Sequence, residues 1–196
     1  LKVLLKETPE HAVIDYLCRE GAAPFGAIEE GGYHHYATYL KRQIQVEAEE
    51  KVPEGKMAKL LYDMYQPDCA KYAVESDVPQ IYELLLENFD LQADHIPSED
   101  DLLQIVKEKE VMIYKIGDKI ECFFIYRREG KKLYCAFSYN HASADILYSI
   151  ERRVKEIEYE ENGIKMHYAW FNAKNKKALR RNAWKDTKIR DYIFVK

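Results

Sequence analysis

The spacing of apolar residues changes character near residue 70. Before it, apolar positions recur at helical intervals. "TPEHAVIDYLCREG" opens on a Thr-Pro start signal, places Val13, Ile14 and Leu17 on one face and stops at Gly21. "YHHYATYLKRQIQV" repeats that spacing through Tyr36, Tyr39, Leu40 and Ile44. Between them "AAPFGAIEEGG" reads as a loop punctuated by Gly and Pro; after them "EAEEKVPEGK" reads as an acidic linker and "MAKLLYDMY" as a third, short helix. The pattern predicts a helical N-terminal module over 1–66, too short to hold a strong core alone and therefore packed on the remainder of the chain.

From 67 to 196 the period shifts between two and 3.6. "KYAVES" predicts a short strand, and Ser76 and Asp77 offer caps to "VPQIYELLLENF", with Pro79 tolerated in the first turn. Ile81, Leu84, Leu85 and Phe89 line that helix. "IPSEDDLLQIVKEK" is a second helix, capped by Ser98. "EVMIYKI", "KIECFFIYRR" and "KKLYCAFSYN" come next, joined at Gly117-Asp118 and Glu129-Gly130. Short Gly-bearing joints between apolar runs predict an antiparallel meander. In its middle strand Ile120, Cys122, Phe124 and Tyr126 alternate with Glu121, Phe123 and Ile125, so both faces are apolar and both should be covered. "SYNHASADILYSIERRV" runs from a strand through a turn into a helix whose stripe is Leu147, Ile150, Val154 and Ile157, ended by Gly163. A strand at "IKMHYAWF", a short helix at "KNKKALRRN" and a strand at "KIRDYIFVK" complete the chain. A strand-helix-strand crossover should set 132–140 parallel to 164–171.

Composition narrows the functional classes. The 196 residues are 47% hydrophobic and 33% charged, ordinary for a globular domain. A formal net charge of −4 argues against a nucleic-acid partner, which would call for a surplus of phosphate-neutralising cations. No apolar run approaches the ~18 residues of a membrane span, and no secretory leader is evident at the start, so no membrane partner is expected. Cys18, Cys69, Cys122 and Cys135 have no CxxC spacing, which suggests a reducing, cytoplasmic compartment and no zinc site. His34 and His35 are adjacent, and adjacent helical residues diverge too far to share an ion. No metal is assigned.

The order from residue 70 onward (strand, two helices, three-strand meander, helix, strand, helix, strand) resembles the GCN5-related N-acetyltransferase (GNAT) family. The stretches "YAVESDVPQIYELLLENFD", "VMIYKIGDKIECFFIY" and "YAWFNAKNKKALRRNAWKDTKIRDYIFVK" carry that resemblance over about two thirds of the chain. It implies an α/β (α+β) fold with a mixed, splayed central sheet flanked by helices, here with an N-terminal helical appendage. It also implies acetyl-CoA as cosubstrate and a small-molecule or peptide amine as acceptor. Pantetheine would run along Phe137, Ser138 and Tyr139, and the diphosphate would meet the start of the next helix.

The family's diphosphate turn has Arg or Gln, two residues, Gly, one residue, then Gly or Ala. Its place is taken here by His141, Ala142, Ser143, Ala144, Asp145 and Ile146, with no glycine. A helix N-terminus supplies N–H donors and a favourable dipole to an anion. Asp145 competes for that dipole. Two unit charges about 5 Å apart at an effective dielectric near 20 repel by roughly 3 kcal/mol, about a hundredfold in affinity. The alternative is that Asn140, Ser143 and Asp145 simply cap a structural helix. In the last motif Asn175 and Ala178 fit, while the family's thiolate-protonating Tyr falls on Asn182.

An amine acceptor requires a proton acceptor, often through water. Glu121, which interrupts an apolar run, and Tyr139 are the candidates; an exposed edge position and ordinary packing are the alternatives. Lys174, Lys176, Lys177, Arg180 and Arg181 could meet the 3′-phosphate of CoA or form a solvated face. Ser138 and Ser143 lie near His141, but a Ser-His pair without an identified orienting acid is common by chance and supports nucleophilic catalysis poorly. Two functions remain open. One is acyl-CoA-dependent N-acyl transfer. The other is a binding or regulatory module that keeps the fold and has lost the CoA site. The N-terminal helices would serve as a lid, a dimer contact or the remnant of another domain, so a homodimer is among the expected assemblies.

Overall fold

The computed structural model describes residues 12–48, 50–180 and 184–196. These divide into two compact units. One comprises the described residues of 12–44, 90–95 and 169–196; the other comprises those of 45–89 and 96–168. The division does not follow the 66/67 boundary, because the last strand of the chain pairs with the first two.

In the first unit, β1 (Val13–Arg19), β8 (Lys185–Val195) and β2 (His34–Gln45) lie side by side, with β8 antiparallel to both neighbours. The helices expected at 13–19 and 34–45 are therefore strands. Burial along β1 alternates strictly, with Ile14, Tyr16 and Cys18 half-buried and Val13, Asp15, Leu17 and Arg19 exposed. Val, Ile and Tyr suit a half-buried pleated surface. Short apolar runs satisfy both periods, and here pairing with a strand at the far end of the chain decides between them. A short helix, α1 (Phe25–Glu29), stands where a loop was expected. Ile28, Tyr33, Tyr192 and Phe194 form one small core, and Ala37, Tyr39, Ala93 and Ile193 another.

The second unit follows the predicted order closely. It contains α2 (Lys56–Asp63), β3 (Lys71–Tyr72), α3 (Val78–Asn88), α4 (Glu99–Lys107), β4 (Val111–Ile116), β5 (Lys119–Glu129), β6 (Lys132–Asn140) and α5 (Ala144–Asn162). The strand β7 (Met166–Asn172) begins here and ends in the first unit, where α6 (Lys176–Leu179) comes after it. Strands β3, β4, β5 and β6 are consecutive antiparallel neighbours. Ser98 caps α4 by accepting from Asp101 N, as expected. Asp77 does not cap α3: its buried carboxylate accepts from Val74 N and pairs with Lys115. Gly163 ends α5 at φ +62, the left-handed backbone that glycine adopts without strain.

Both faces of this sheet are covered. Helices α3 and α4 bring Ile81, Leu85, Leu102 and Ile105 onto Ile120, Phe123, Ile125 and Phe137. On the other face α5 brings Ile146, Ile150 and Val154 onto Cys122, Phe124, Tyr126 and Leu133. Each such fully buried side chain contributes about 1.5–3 kcal/mol. Ile120 sits on the Phe123 face, contrary to simple alternation, because β5 bulges. Tyr114 pairs with Cys122 but Lys115 pairs with Ile120, leaving Glu121 as the extra residue. A second bulge lies on β6. Ile125 pairs with Phe137 and Tyr126 with Cys135, so Ala136 is extra, and the inward parity flips from Leu133 to Phe137.

Candidate functional site

The two bulges shape the start of α5. At Glu121 the β5 backbone bulges out of its ladder with β4, which resumes at Ile120, and the ladder with β6 ends at Cys122–Asn140. One step beyond, Glu121 stands opposite His141. The N–H groups of His141 (2.8 Å) and Ala142 (3.2 Å) both donate to the Glu121 carbonyl. Directly opposed residues also bring their side chains together, and His141 Nδ1 lies 2.7 Å from Glu121 Oε2. Lys119 Nζ lies 2.7 Å from the other carboxylate oxygen. These contacts, Lys119 first and then His141, hold the Glu121 carboxyl below the usual carboxylate range, and Glu121 in turn raises the Lys119 ammonium. Glu121 is buried while Lys119 and His141 are exposed. Glu121 does not occupy the exposed edge position given as the alternative to its reading as the base: it is a bulged residue with both oxygens engaged.

Beyond Ala142 the turn opens. Asn140 Nδ2 donates to Ser143 O at 3.1 Å. Ser143 is the N-cap residue, yet its hydroxyl makes no capping hydrogen bond. The capping role expected of Ser143 is thus not realised, and the first turn of a 19-residue helix has no hydroxyl on its N–H groups. Asp145 and Ser149, one turn apart, share the face of α5 that meets residues 66–69. Gln66 N donates to Ser149 Oγ at 3.1 Å, and Cys69, held up first by burial, also feels the Asp145 charge. Asp145 is half-buried and Ile146 is anchored in the core beneath.

Along β6, Phe137 is buried against Phe89, with ring centroids 5.1 Å apart, and Ser138 is exposed. Tyr139 stacks on its register partner Phe123 at 5.4 Å. The structure thus brings Glu121, Tyr139 and His141 to one end of the β5–β6 pair, with Lys119 among them. Lys119 escapes sequence reading because nothing in the local pattern announces the bulge that gathers it. Asn175 belongs to the first unit, where its Oδ1 accepts from Ala178 N at 3.0 Å and starts α6. Asn182 and Arg181 lie outside the described residues. Cys122 is buried, which pushes its thiol up to about 12, in keeping with a core side chain. No described helix is long and apolar enough to cross a membrane, and no described group of three or more His, Cys, Asp or Glu could hold a metal ion.

No family model matches the chain, and neither does any curated protein. Solved structures do. A GCN5-related N-acetyltransferase from Sphaerobacter thermophilus superposes with a TM-score of 0.64 at 14% identity, covering 94% of this chain and 59% of that one. A GNAT-family protein from Novosphingobium aromaticivorans gives 0.62 at 12% identity, covering 100% and 79%. A tandem GNAT protein of the clavulanic acid pathway gives 0.54 at 8% identity, covering 93% and 63%. The chain has the GNAT fold, a mixed α/β architecture. It spans about six tenths of the Sphaerobacter protein's length.

Proposed function

We propose that the chain is an acyl-CoA-dependent N-acyltransferase, with acetyl-CoA as donor and a small-molecule or peptide amine as acceptor. One observation carries this reading: on a GNAT fold, α5 starts directly after the bulged strand with its N-cap hydroxyl unbonded. The donor set suits a diphosphate in part. The first-turn N–H groups and the dipole favour an anion, while the His141 ring and the Lys119 ammonium are engaged by the Glu121 carboxylate. Asp145 opposes it, but a half-exposed carboxylate on the helix flank is screened. Its cost falls from the hundredfold of an in-line charge to about tenfold, near 1.4 kcal/mol.

In this assignment Glu121 is not the base. It holds the turn, through its carbonyl to His141 and Ala142 and through its carboxylate to His141 and Lys119. The amine nitrogen attacks the thioester carbon, the C–S bond breaks, and the thiolate takes up a proton. The amine's own proton leaves through water at β6, where Tyr139 is the first side-chain partner. Coenzyme A supplies the activated acyl group; the chain orients it.

A second reading, a binding or regulatory module without the CoA site, is favoured by a different observation. Two N–H groups of the turn are already spent on the Glu121 carbonyl, and no glycine allows closer approach. Calorimetric titration with acetyl-CoA separates the two. Sub-millimolar binding that tightens about tenfold in Asp145→Asn supports transfer. No heat with either protein at several millimolar would leave the second reading.

A further inference from the structure

The edge of the first unit points to a partner. In that unit β1 pairs with β8 on one side, and among the described residues no strand lies on its other side. The flanking hydrogen bonds Glu20 N→Lys188 O and Lys196 N→Ala12 O set even-numbered residues toward β8. Backbone direction alternates along a strand, so Val13, Asp15, Leu17 and Arg19 present their N–H and C=O groups outward. The same four side chains form the exposed face; Val13 is 41% and Leu17 63% exposed. An outward ladder carrying exposed apolar side chains is a template for another strand.

The sequence of that face is self-complementary about Leu17. Asp15 and Arg19 lie two residues either side of it, on the same face. Asp15 also meets His95 Nε2 at 2.6 Å, through one carboxylate oxygen and with both side chains exposed. In an antiparallel pair of identical strands centred on Leu17, Leu17 meets Leu17, and each Asp15 faces the other copy's Arg19. Centring on Asp15 or Arg19 opposes like charges, and centring on Tyr16 or Cys18 leaves the charges facing apolar residues or loop. Every register centred on a residue sets outward backbone groups against outward ones, so it is the charge pairing that selects Leu17. We infer that β1 is a homodimer interface, in which two copies join their sheets edge to edge about a twofold axis through Leu17.

Sedimentation of the full chain tests this, with Asp15→Arg and Arg19→Asp as probes. Both positions are exposed, so both proteins should keep the wild-type circular dichroism. The wild type is expected to be a dimer at micromolar concentration. Each single variant opposes like charges at both ends of the interface and should raise the dissociation constant about tenfold or more. Mixed in equal amounts, the two variants should form a heterodimer. One strand then carries a cation at both positions 15 and 19, the other a carboxylate at both, and each cross-strand pair is again opposite in charge. Restored pairing also certifies that both variants are folded. Leu17→Lys, with two ammonium groups at the centre, should be monomeric. A monomeric wild type overturns the inference. So does a dimer indifferent to all three substitutions, or a mixture that fails to associate.

Discussion

Replacing Arg152 by Ala should loosen the 46–70 segment from α5. Helix α2 has no fully buried residue, so burial of its own side chains cannot hold it. Arg152 lies under the Tyr62 and Tyr65 rings, 4.5 and 4.0 Å from their centroids. Its Nε is 2.9 Å from Glu156 and 3.3 Å from Glu50, and its side chain is only 14% exposed. Two partly desolvated cation–π contacts contribute about 1 kcal/mol each. The shielded ion pairs add about 1 kcal/mol more, a modest sum because Glu50 keeps Lys155 while Glu156 keeps Arg153 and the Tyr65 hydroxyl. A total near 3 kcal/mol corresponds to about 6–12 °C of melting temperature at this chain length. Arg152→Lys keeps the charge but loses the planar stack and fork, and should recover no more than about half. Thermal denaturation measures the sum, and hydrogen exchange at 56–63 shows whether α2 detaches first. A shift below about 1 °C in Arg152→Ala, with exchange at α2 unchanged, would refute the clamp.

Three further substitutions have defined signs. The Arg190 guanidinium holds the Asp186 carboxyl well below the usual range; that stabilisation is complete above an ordinary Asp value of about 3.9 and is lost as pH falls toward the folded value. Acid unfolding of Asp186→Asn should therefore be flatter below about pH 4. Asp191 is the opposite case, its carboxyl raised by burial first and then by Asp15, with one oxygen lacking a hydrogen-bond partner. Its contribution is present below the unfolded value and lost as pH rises through the folded one, so Asp191→Asn should raise the melting temperature at neutral pH, with the gain vanishing below about pH 4. Gly163→Ala should cost about 1 kcal/mol in urea denaturation, because φ is +62 and the new Cβ would lie 3.0 Å from Lys131 Nζ.

The second unit was legible because its signals are local. Ser98 and Gly163 mark helix ends, and Gly117 and Gly130 mark hairpins, whatever the rest of the chain does. The strands at 13–19 and 34–45 were not legible, because their period is settled by β8 at the far end of the chain. The candidate site falls between these cases. Strand, turn and helix start could be read from residues 132–162. The bulge at Glu121 could not, since an extra residue in a ladder exists only relative to β4. With it went the correct placement of Ile120, the recruitment of Lys119, and the change of Glu121 from free carboxylate to the anchor of the turn.

The proposed seat for the diphosphate of an acyl-CoA is the first turn of α5, not the 141–142 half of the turn. Amide NMR during an acetyl-CoA titration tests it most directly. Large shifts are expected for the Ala144, Asp145 and Ile146 N–H signals and small ones for His141 and Ala142, which stay on the Glu121 carbonyl. No shift anywhere in 141–146 at several millimolar ligand would contradict it, and so would shifts confined to His141 and Ala142.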